Sequence, residues 1–192
     1  MSTILGILIA FAAIVVTWRL ASRRRHLPCP VWLRWLVELD NPFTQISRAA
    51  VIADHLDLET GMTVADVGCG PGRVTVPTAQ RVAPAGKVVA LDIQPGMLTR
   101  AKEKAQAAGL TNIEFLPAAI GDGKLGCERF DRALLVTVLG EVPDRLAALQ
   151  EIYAALKPGG MLYIGHSERI ATEQLPLDLV AQTTYRQKGH ST

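Results

Sequence analysis

Residues 64–74 read VADVGCGPGRV and decide the fold that we expect for this chain. A buried strand ends in Asp66, three glycines alternate at Gly68, Gly70 and Gly72, and a helix follows. Glycine permits backbone angles closed to other residues and lets a ligand approach the main chain closely. A loop that leads into the N-terminus of a helix also presents unpaired N–H groups to polar ligand atoms. The stretch therefore predicts a strand, a binding loop and a helix in succession.

An acidic residue closes the next predicted strand. Residues 87–92 read KVVALD, and Asp92 lies twenty positions beyond Gly72. A carboxylate at this point can accept hydrogen bonds from both hydroxyls of an adenosine ribose. Two plainer interpretations stay open, with Asp92 as a turn residue and Asp66 as a cap of the helix that follows it.

A nicotinamide dinucleotide is the obvious competing ligand for such a loop. Its fingerprint requires a third glycine three positions after the second. Counted from Gly68 that position holds Arg73, and counted from Gly70 it holds Thr75. The spacing of the glycines therefore disfavours dinucleotide binding.

Strand-like and helix-like segments alternate along most of the chain. This alternation predicts an α/β fold, with a mostly parallel sheet, right-handed crossovers and flanking helices. A turn of sequence KPGG precedes the last strand. The predicted strands cover residues 62–67, 87–92, 113–116, 130–137 and 161–165, and the predicted helices cover residues 47–56, 73–82, 95–108 and 143–156.

The N-terminal segment is strongly apolar. Ile4 to Trp18 carry no charge, Leu20 extends the run, and four arginines occur between positions 19 and 25. About sixteen helical residues reach ~24 Å, slightly short of a ~30 Å hydrocarbon core, and snorkelling or local thinning can cover the difference. We expect residues 1–22 to form one transmembrane helix that contacts the membrane through Ile4–Leu20. The positive-inside rule then places the following domain in the cytoplasm.

A cleaved signal peptide and a buried core helix are the alternatives for this segment. A signal peptide carries its positive charges before the apolar stretch and small residues at the cleavage point. Here the arginines follow the stretch and nothing basic precedes it. The charge order favours a membrane anchor.

A basic connector is expected at residues 23–44. Six arginines and two acidic residues lie in the first 48 positions, whereas the remainder of the chain is slightly acidic. This asymmetry suits an anionic membrane surface, and we expect no nucleic-acid partner. Trp32, Trp35 and Leu36 either lie in the headgroup layer or cover an open face of the domain.

The composition indicates a folded domain without a structural metal. Hydrophobic residues make up 49% and charged residues 20% of the chain, which excludes a disordered or collagen-like protein. Cys29, Cys69 and Cys127 are far apart in the sequence, so they form no C-x-x-C pair or metal-like cluster. We therefore expect each thiol to behave as a small apolar residue.

Four motifs resemble those of the class I, Rossmann-like, S-adenosylmethionine (SAM)-dependent methyltransferases. They are VADVGCGPG, VVALDIQPGML, FDRALLVTVLGEVPD and LKPGGMLYIGHS, and the resemblance covers roughly residues 45–167. It implies a SAM-binding methyltransferase domain over that range. It also implies that glycines of the first motif line the methionine part of SAM, that an acid binds the ribose and that an apolar residue packs on the adenine. The candidate cofactor-binding residues are Asp66, Gly68, Gly70, Gly72, Asp92 and Ile93.

The chain departs from the family pattern in two places. The family often carries an acid near the adenine amine after the third strand, where only Asp122 is a candidate, and an exposed Asp-Gly turn is an equal alternative. The family sheet ends in an antiparallel strand pair. We see no alternating pattern for such a pair after the fifth strand, so we expect the pair to be missing and residues 168–192 to be a C-terminal tail. That loss would affect catalytic competence more than SAM binding.

The chemistry asks little of the protein, because the methyl group on a sulfonium is already activated. Catalysis is then mostly in-line positioning, with a base for some acceptors. Glu141 and His166 follow the fourth and fifth strands and are the catalytic candidates, and an ordinary loop residue is the plainer alternative for each. We expect a methyltransferase that acts on a membrane-associated small-molecule or lipid acceptor, such as a quinone-like molecule. A non-catalytic, membrane-tethered SAM-binding protein is the alternative, and a NAD-linked oxidoreductase is disfavoured.

Overall fold

The structure is a computed structural model that describes residues 5–6, 9–11, 13–18, 30–31, 52, 54 and 56–165. Strands and helices alternate through the main described range. The strands are β1 (Thr63–Val67), β2 (Lys87–Asp92), β3 (Ile113–Pro117), β4 (Phe130–Val136) and β5 (Leu156–Gly165), and the helices are α1 (Thr75–Val82), α2 (Pro95–Ala107) and α3 (Arg145–Ala155).

The five strands form one sheet in the order β3-β2-β1-β4-β5, and every neighbouring pair is parallel. This confirms the α/β fold with a parallel sheet. The strand order changes direction between β1 and β4, because the chain first builds the sheet outward through β2 and β3 and then returns to the other side of β1. Crevices at the carboxyl ends of strands at such a switch point are where open α/β sheets bind ligands.

Helices cover both faces of the sheet. Side chains of a strand alternate between its faces, so Val64 and Leu134 pack with α1 residues in one apolar cluster. Their neighbours Ala65 and Leu135 belong to a second cluster, with Ile152 and other residues of α3. α2 contacts α1 and lies over β2 and β3. The sheet is therefore the middle of three layers, and strands buried on both faces read as continuous apolar runs in the sequence.

Several element boundaries differ from those predicted. α1 begins at Thr75 rather than at position 73, because Arg73 and Val74 still belong to the turn. α3 begins at Arg145, since Asp144 caps it by accepting a hydrogen bond from the Ala147 N–H at 2.9 Å.

The predicted KPGG turn before the last strand is wrong. β5 begins at Leu156, which pairs with Phe130, and the register shifts before Met161 pairs with Arg132. The four residues between Leu156 and Met161 thus form an irregularity inside the strand. Gly159 accommodates it with a φ of +78°.

The N-terminal anchor is not confirmed. The described residues 5–6, 9–11 and 13–18 are helical. Within the described part of the chain, no helix has the length and apolar character needed to cross a membrane. Several predictions fall outside the described residues: most of the connector at 23–44, most of the helix predicted at 47–56, His166, and the tail at 168–192. The missing strand pair therefore also stays a prediction.

Candidate functional site

A cleft opens at the carboxyl edge of the sheet, at the switch point between β1 and β4. Its empty volume, open solvent included, is about 680 Å³. One side is formed by Gly68 and by Leu91 to Gln94, and the other by Val138 and Glu141 to Pro143. Ala118 to Ile120 complete the wall. The cleft is thus built from loops after four successive strands.

The glycine-rich loop folds back over the end of β2. The N–H groups of Gly68 and Cys69 both donate to the carbonyl oxygen of Leu91, at 2.7 and 3.0 Å. Gly68, Gly70 and Gly72 all adopt positive φ, at +70°, +53° and +79°. L-residues with a side chain rarely adopt this region, so the alternating glycines are required by the path of the loop.

The three glycines have different surroundings. A Cβ atom at Gly68 would collide with the side chain of Val138, whereas a Cβ at Gly70 would meet nothing within 4 Å. At Gly72 a Cβ would lie 2.9 Å from the Cβ of Ala101 and 3.0 Å from its Cα. Gly72 therefore permits close packing of the loop on α2, and Gly68 alone among the three lines the cleft.

Asp92 joins the loop to the cleft. Its Oδ2 accepts a hydrogen bond from the Gly70 N–H at 2.9 Å, and its Oδ1 accepts one from the Gln94 N–H at 2.8 Å. The residue is only 7% exposed and lies on the wall of the cleft. Burial raises the pKa of its carboxyl, and the two backbone N–H groups act in the opposite direction. Each oxygen keeps a further acceptor position toward a ligand.

Asp66 lies beneath the loop rather than on the cleft wall. It is 3% exposed, and its Oδ2 accepts a hydrogen bond from the Thr75 hydroxyl at 2.6 Å. Burial raises the pKa of Asp66 to about 6, and the negative charge of Asp92 adds to this rise. The hydrogen bond from Thr75 lowers the pKa but does not outweigh the burial. Asp66 thereby links the end of β1 to the first residue of α1.

The loop after β3 forms the wall of the cleft in which the sequence offered Asp122 as the acid near the adenine amine. Asp122 does not face the cleft, because its Oδ2 accepts the Ala119 N–H at 3.2 Å and so closes a turn. Glu151 of α3 holds the same loop from behind, accepting the N–H groups of Gly121 and Leu125. Asp122 therefore shapes the wall formed by residues 118–120.

The loop after β4 forms the opposite wall. Thr137 adopts a φ of +60°, which is uncommon for a residue other than glycine, and its N–H donates to the Gly165 carbonyl at 2.6 Å. This turn brings Val138 against Gly68. Glu141 follows on the cleft wall, and its N–H donates to the Val138 carbonyl at 2.7 Å. Positive φ at a non-glycine residue is frequent at functional sites.

The structure brings together four of the residues predicted from the sequence. Gly68, Asp92, Ile93 and Glu141 line the cleft. The lining residues that sequence reasoning missed are Leu91, Gln94, Ala118, Ala119, Ile120, Val138, Val142 and Pro143. Most of these are apolar and carry no chemical signature. Their position at or just after a strand end was the only signal available.

Among the described residues, no group of three or more His, Cys, Asp or Glu side chains is placed to hold a metal ion.

Comparison with known proteins identifies the family. Residues 58–190 match the methyltransferase-domain family Methyltransf_31, so the chain belongs to that family and is a class I SAM-dependent methyltransferase domain, with SAM as its cofactor. The match continues well past position 167, where the sequence suggested that the domain ends. It therefore gives no support to a short C-terminus.

Three similar proteins illustrate the relationship. A 37.1 kDa protein in transposon TN4556 of Streptomyces fradiae is 31% identical over 78% of this chain and 43% of its own length. Demethylmenaquinone methyltransferase of Lactococcus lactis is 38% identical over 53% of this chain and 40% of its own length. A SAM-dependent methyltransferase from Aquifex aeolicus superimposes with a TM-score of 0.63 at 27% identity, covering 71% of this chain and 72% of that one. The chain thus spans less than half the length of these two sequence relatives.

Proposed function

We propose that this protein transfers the methyl group of SAM to an amphiphilic acceptor held in the cleft. The observation that carries the proposal is the position of Asp92, a buried carboxylate between the glycine-rich loop and the cleft, at the switch point of a parallel sheet. Membership of the methyltransferase-domain family supports the same activity.

The residues present fit SAM. Asp92 is placed to accept hydrogen bonds from the ribose hydroxyls with the acceptor positions that Gly70 and Gln94 leave open. Ile93, 60% exposed at the cleft, offers an apolar surface to the adenine. Gly68 lets the methionine part approach the main chain. Gly70 supports this arrangement through Asp92, and Gly72 does so through its packing on α2.

The opposite wall is suited to the acceptor. SAM supplies a methyl group already activated by its sulfonium, so the protein has to orient the acceptor and exclude water. Val138, Val142 and Pro143 provide apolar surface for this purpose. Glu141 lies among them and is placed to hold or deprotonate a polar atom of the acceptor. The second catalytic candidate, His166, lies outside the described residues.

An amphiphilic, quinone-like or lipid acceptor fits these surroundings best. The relatives named demethylmenaquinone methyltransferase support this choice. We also propose that the protein associates with a membrane through Ile4–Leu20, with its domain in the cytoplasm. The support is the uncharged sequence followed by arginines, together with the exposure of Leu5, Ile9, Ile14 and Val16.

The test is an assay of the full chain, purified in detergent, with methyl-labelled SAM and a bacterial membrane-lipid extract. We expect formation of S-adenosylhomocysteine and label in an extracted lipid. Glu141→Gln should lower the rate at least about tenfold if Glu141 is a base, since general bases contribute about 10²–10⁴-fold. Glu103→Gln, on the exposed face of α2, is the matched control and should keep the rate.

Binding of SAM without any turnover would instead support a non-catalytic SAM-binding protein. Absence of SAM binding by the folded chain would contradict the proposal altogether.

A further inference from the structure

We propose that Glu151, on α3 and outside the cleft, is a positioning residue for SAM, because it holds the wall of residues 118–120 against which the adenosine half of the cofactor binds. This inference rests on the placement of SAM at Asp92 and Ile93 proposed above. It adds that part of the affinity for the cofactor depends on a side chain that does not itself line the cleft.

The wall formed by Ala118, Ala119 and Ile120 borders the acid that is proposed to bind the ribose. The Ala118 N–H donates to the backbone carbonyl oxygen of Asp92 at 3.3 Å, so the loop after β3 begins beside the end of β2. All three wall residues line the cleft together with Asp92 and Ile93. A base attached to a ribose at Asp92 can therefore contact both Ile93 and this wall.

The wall belongs to a loop outside the sheet. β3 ends at Pro117, and β4 begins only at Phe130. Within the loop, Gly121 and Gly123 adopt positive φ angles of +103° and +70°. Glycine loses more conformational freedom on ordering than any other residue. The loop therefore needs contacts with other elements to keep the wall in one conformation.

Glu151 supplies two such contacts. Its Oε2 accepts a hydrogen bond from the Gly121 N–H at 2.5 Å, and its Oε1 accepts one from the Leu125 N–H at 2.9 Å. The side chain of Leu125 is fully buried in the apolar cluster that α3 shares, so packing also fixes this end of the loop. Gly121 directly follows Ile120, so its bond to Glu151 acts on the wall itself.

This arrangement requires a carboxylate. Both oxygens of Glu151 face N–H donors, and an ionised carboxylate offers acceptors only. In Glu151→Gln one oxygen is replaced by an NH₂ group, which cannot accept, so one of the two backbone N–H groups loses its partner. The substitution keeps the shape of the side chain and weakens its hold on the wall.

Asp131 offers a matched control at the opposite edge of the sheet. Its Oδ2 accepts a hydrogen bond from the Thr63 N–H at 2.8 Å, and Lys157 donates to both of its oxygens. Thr63 is the first residue of β1, so this contact lies at the amino edge, away from the cleft. Asp131 is partly buried, as Glu151 is. Asp131→Asn therefore removes the same kind of bond without affecting the wall.

Calorimetry with two ligands that need no acceptor tests the proposal on the full chain in detergent. S-adenosylhomocysteine (SAH) carries the whole product, and 5′-methylthioadenosine carries only its adenosine half. We expect Glu151→Gln to weaken binding of both by a similar factor, at least about fivefold. Asp131→Asn should change neither affinity by more than about twofold. Glu151→Asp keeps the charge but is one methylene shorter, so it should also weaken both, and it replaces Glu151→Gln should that variant not fold.

A double-mutant cycle separates positioning from a general loosening of the fold. Ile120→Ala removes the largest side chain of the wall. Substitutions that act through the same contact are not additive. Glu151→Gln should therefore weaken SAH binding by a smaller factor in Ile120→Ala than in the unaltered protein, whereas the effect of Asp131→Asn should be the same in both.

Three results would overturn the positioning role: an unchanged SAH affinity in folded Glu151→Gln, an equal loss in Asp131→Asn, or an equal effect of Glu151→Gln with and without Ile120→Ala. The unaltered protein separates these results from failure of the proposed function. If it binds SAH and Glu151→Gln binds equally well, only the role of Glu151 is lost. If the folded, unaltered chain does not bind SAH, the proposed function is contradicted, and this inference with it.

Discussion

Asp92 accepts two backbone N–H groups and borders the cleft, so a substitution there affects both the loop and the ligand. We expect Asp92→Ala to weaken SAM binding by at least ~1.5 kcal/mol, about tenfold, as is usual for hydrogen bonds to a charged group. Calorimetry on the full chain measures this change. The SAM affinity of Asp92→Asn should lie between those of the unaltered protein and Asp92→Ala, because one side-chain oxygen remains. The control variant Glu103→Gln should bind SAM as the unaltered protein does. Unchanged affinity in folded Asp92→Ala would remove the carboxylate from the site.

The buried carboxyl of Asp66 makes stability depend on pH in an unusual direction. Its pKa is about 6 in the folded protein against an ordinary value of 3.8, so the folded state holds an extra proton between these pH values. The free energy of unfolding should therefore rise by roughly 1 kcal/mol relative to Asp66→Asn as the pH falls from about 7 to about 5. Urea unfolding of both proteins at the two pH values measures this difference. A gap between the two proteins that is constant with pH would show that Asp66 is ionised throughout.

The sequence predicted those residues that follow from a strand end and a characteristic side chain. Asp92 could be placed because an acid closes a buried strand, and the glycines because their spacing has few other uses. Val138 could not be placed at the cleft from the sequence, since nothing in TVLGEV indicates that Thr137 adopts a positive φ and directs the next side chain onto Gly68. For a related reason the sequence could not decide between the two interpretations of Asp122, because its turn-closing bond to the Ala119 N–H depends on the loop geometry.

The loop between β1 and α1 provides a test at the level of an element. Gly72→Ala should destabilise the protein by about 1–3 kcal/mol more than Gly70→Ala, because the added methyl meets both the side chain and the backbone of Ala101. Both variants share the cost of positive φ, about 1–2 kcal/mol. Gly70→Ala is thus the matched control for Gly72→Ala. Urea unfolding at a fixed pH gives the two free energies, and equal losses would mean that α2 moves away at little cost.

The elements themselves were largely predictable. Continuous apolar runs such as KVVALD, alternating with helical segments, indicated a parallel sheet, and the bounds of β2 agree at both ends. The start of β5 was not predictable in the same way. Proline and two glycines normally mark a turn, yet pairing of Leu156 with Phe130 draws the KPGG sequence into the strand.

The whole molecule should gain stability when SAM binds. A ligand that binds only the folded state at about 100 times its dissociation constant adds about 2.7 kcal/mol. For a chain of this size, that corresponds to a rise of roughly 5–10 °C in Tm. Differential scanning fluorimetry of the full chain in detergent, with SAM and separately with NADH, measures it. NADH should give no shift, and SAM with Asp92→Ala should give about half the shift, because a tenfold loss of affinity leaves about 1.4 kcal/mol of stabilisation at the same SAM concentration. A shift with NADH alone would favour a dinucleotide enzyme.

The hold of Glu151 on the loop after β3 has a consequence for how the cleft exchanges its contents. The carboxylate of Glu151 accepts hydrogen bonds from the N–H groups of both Gly121 and Leu125. In the same loop, Asp122 closes a turn by accepting a hydrogen bond from the Ala119 N–H. Moving this wall outward would break both hydrogen bonds to Glu151. We therefore expect a ligand to enter the cleft on the side bordered by Ile93 and Glu141, while α3 keeps the wall of residues 118–120 in place.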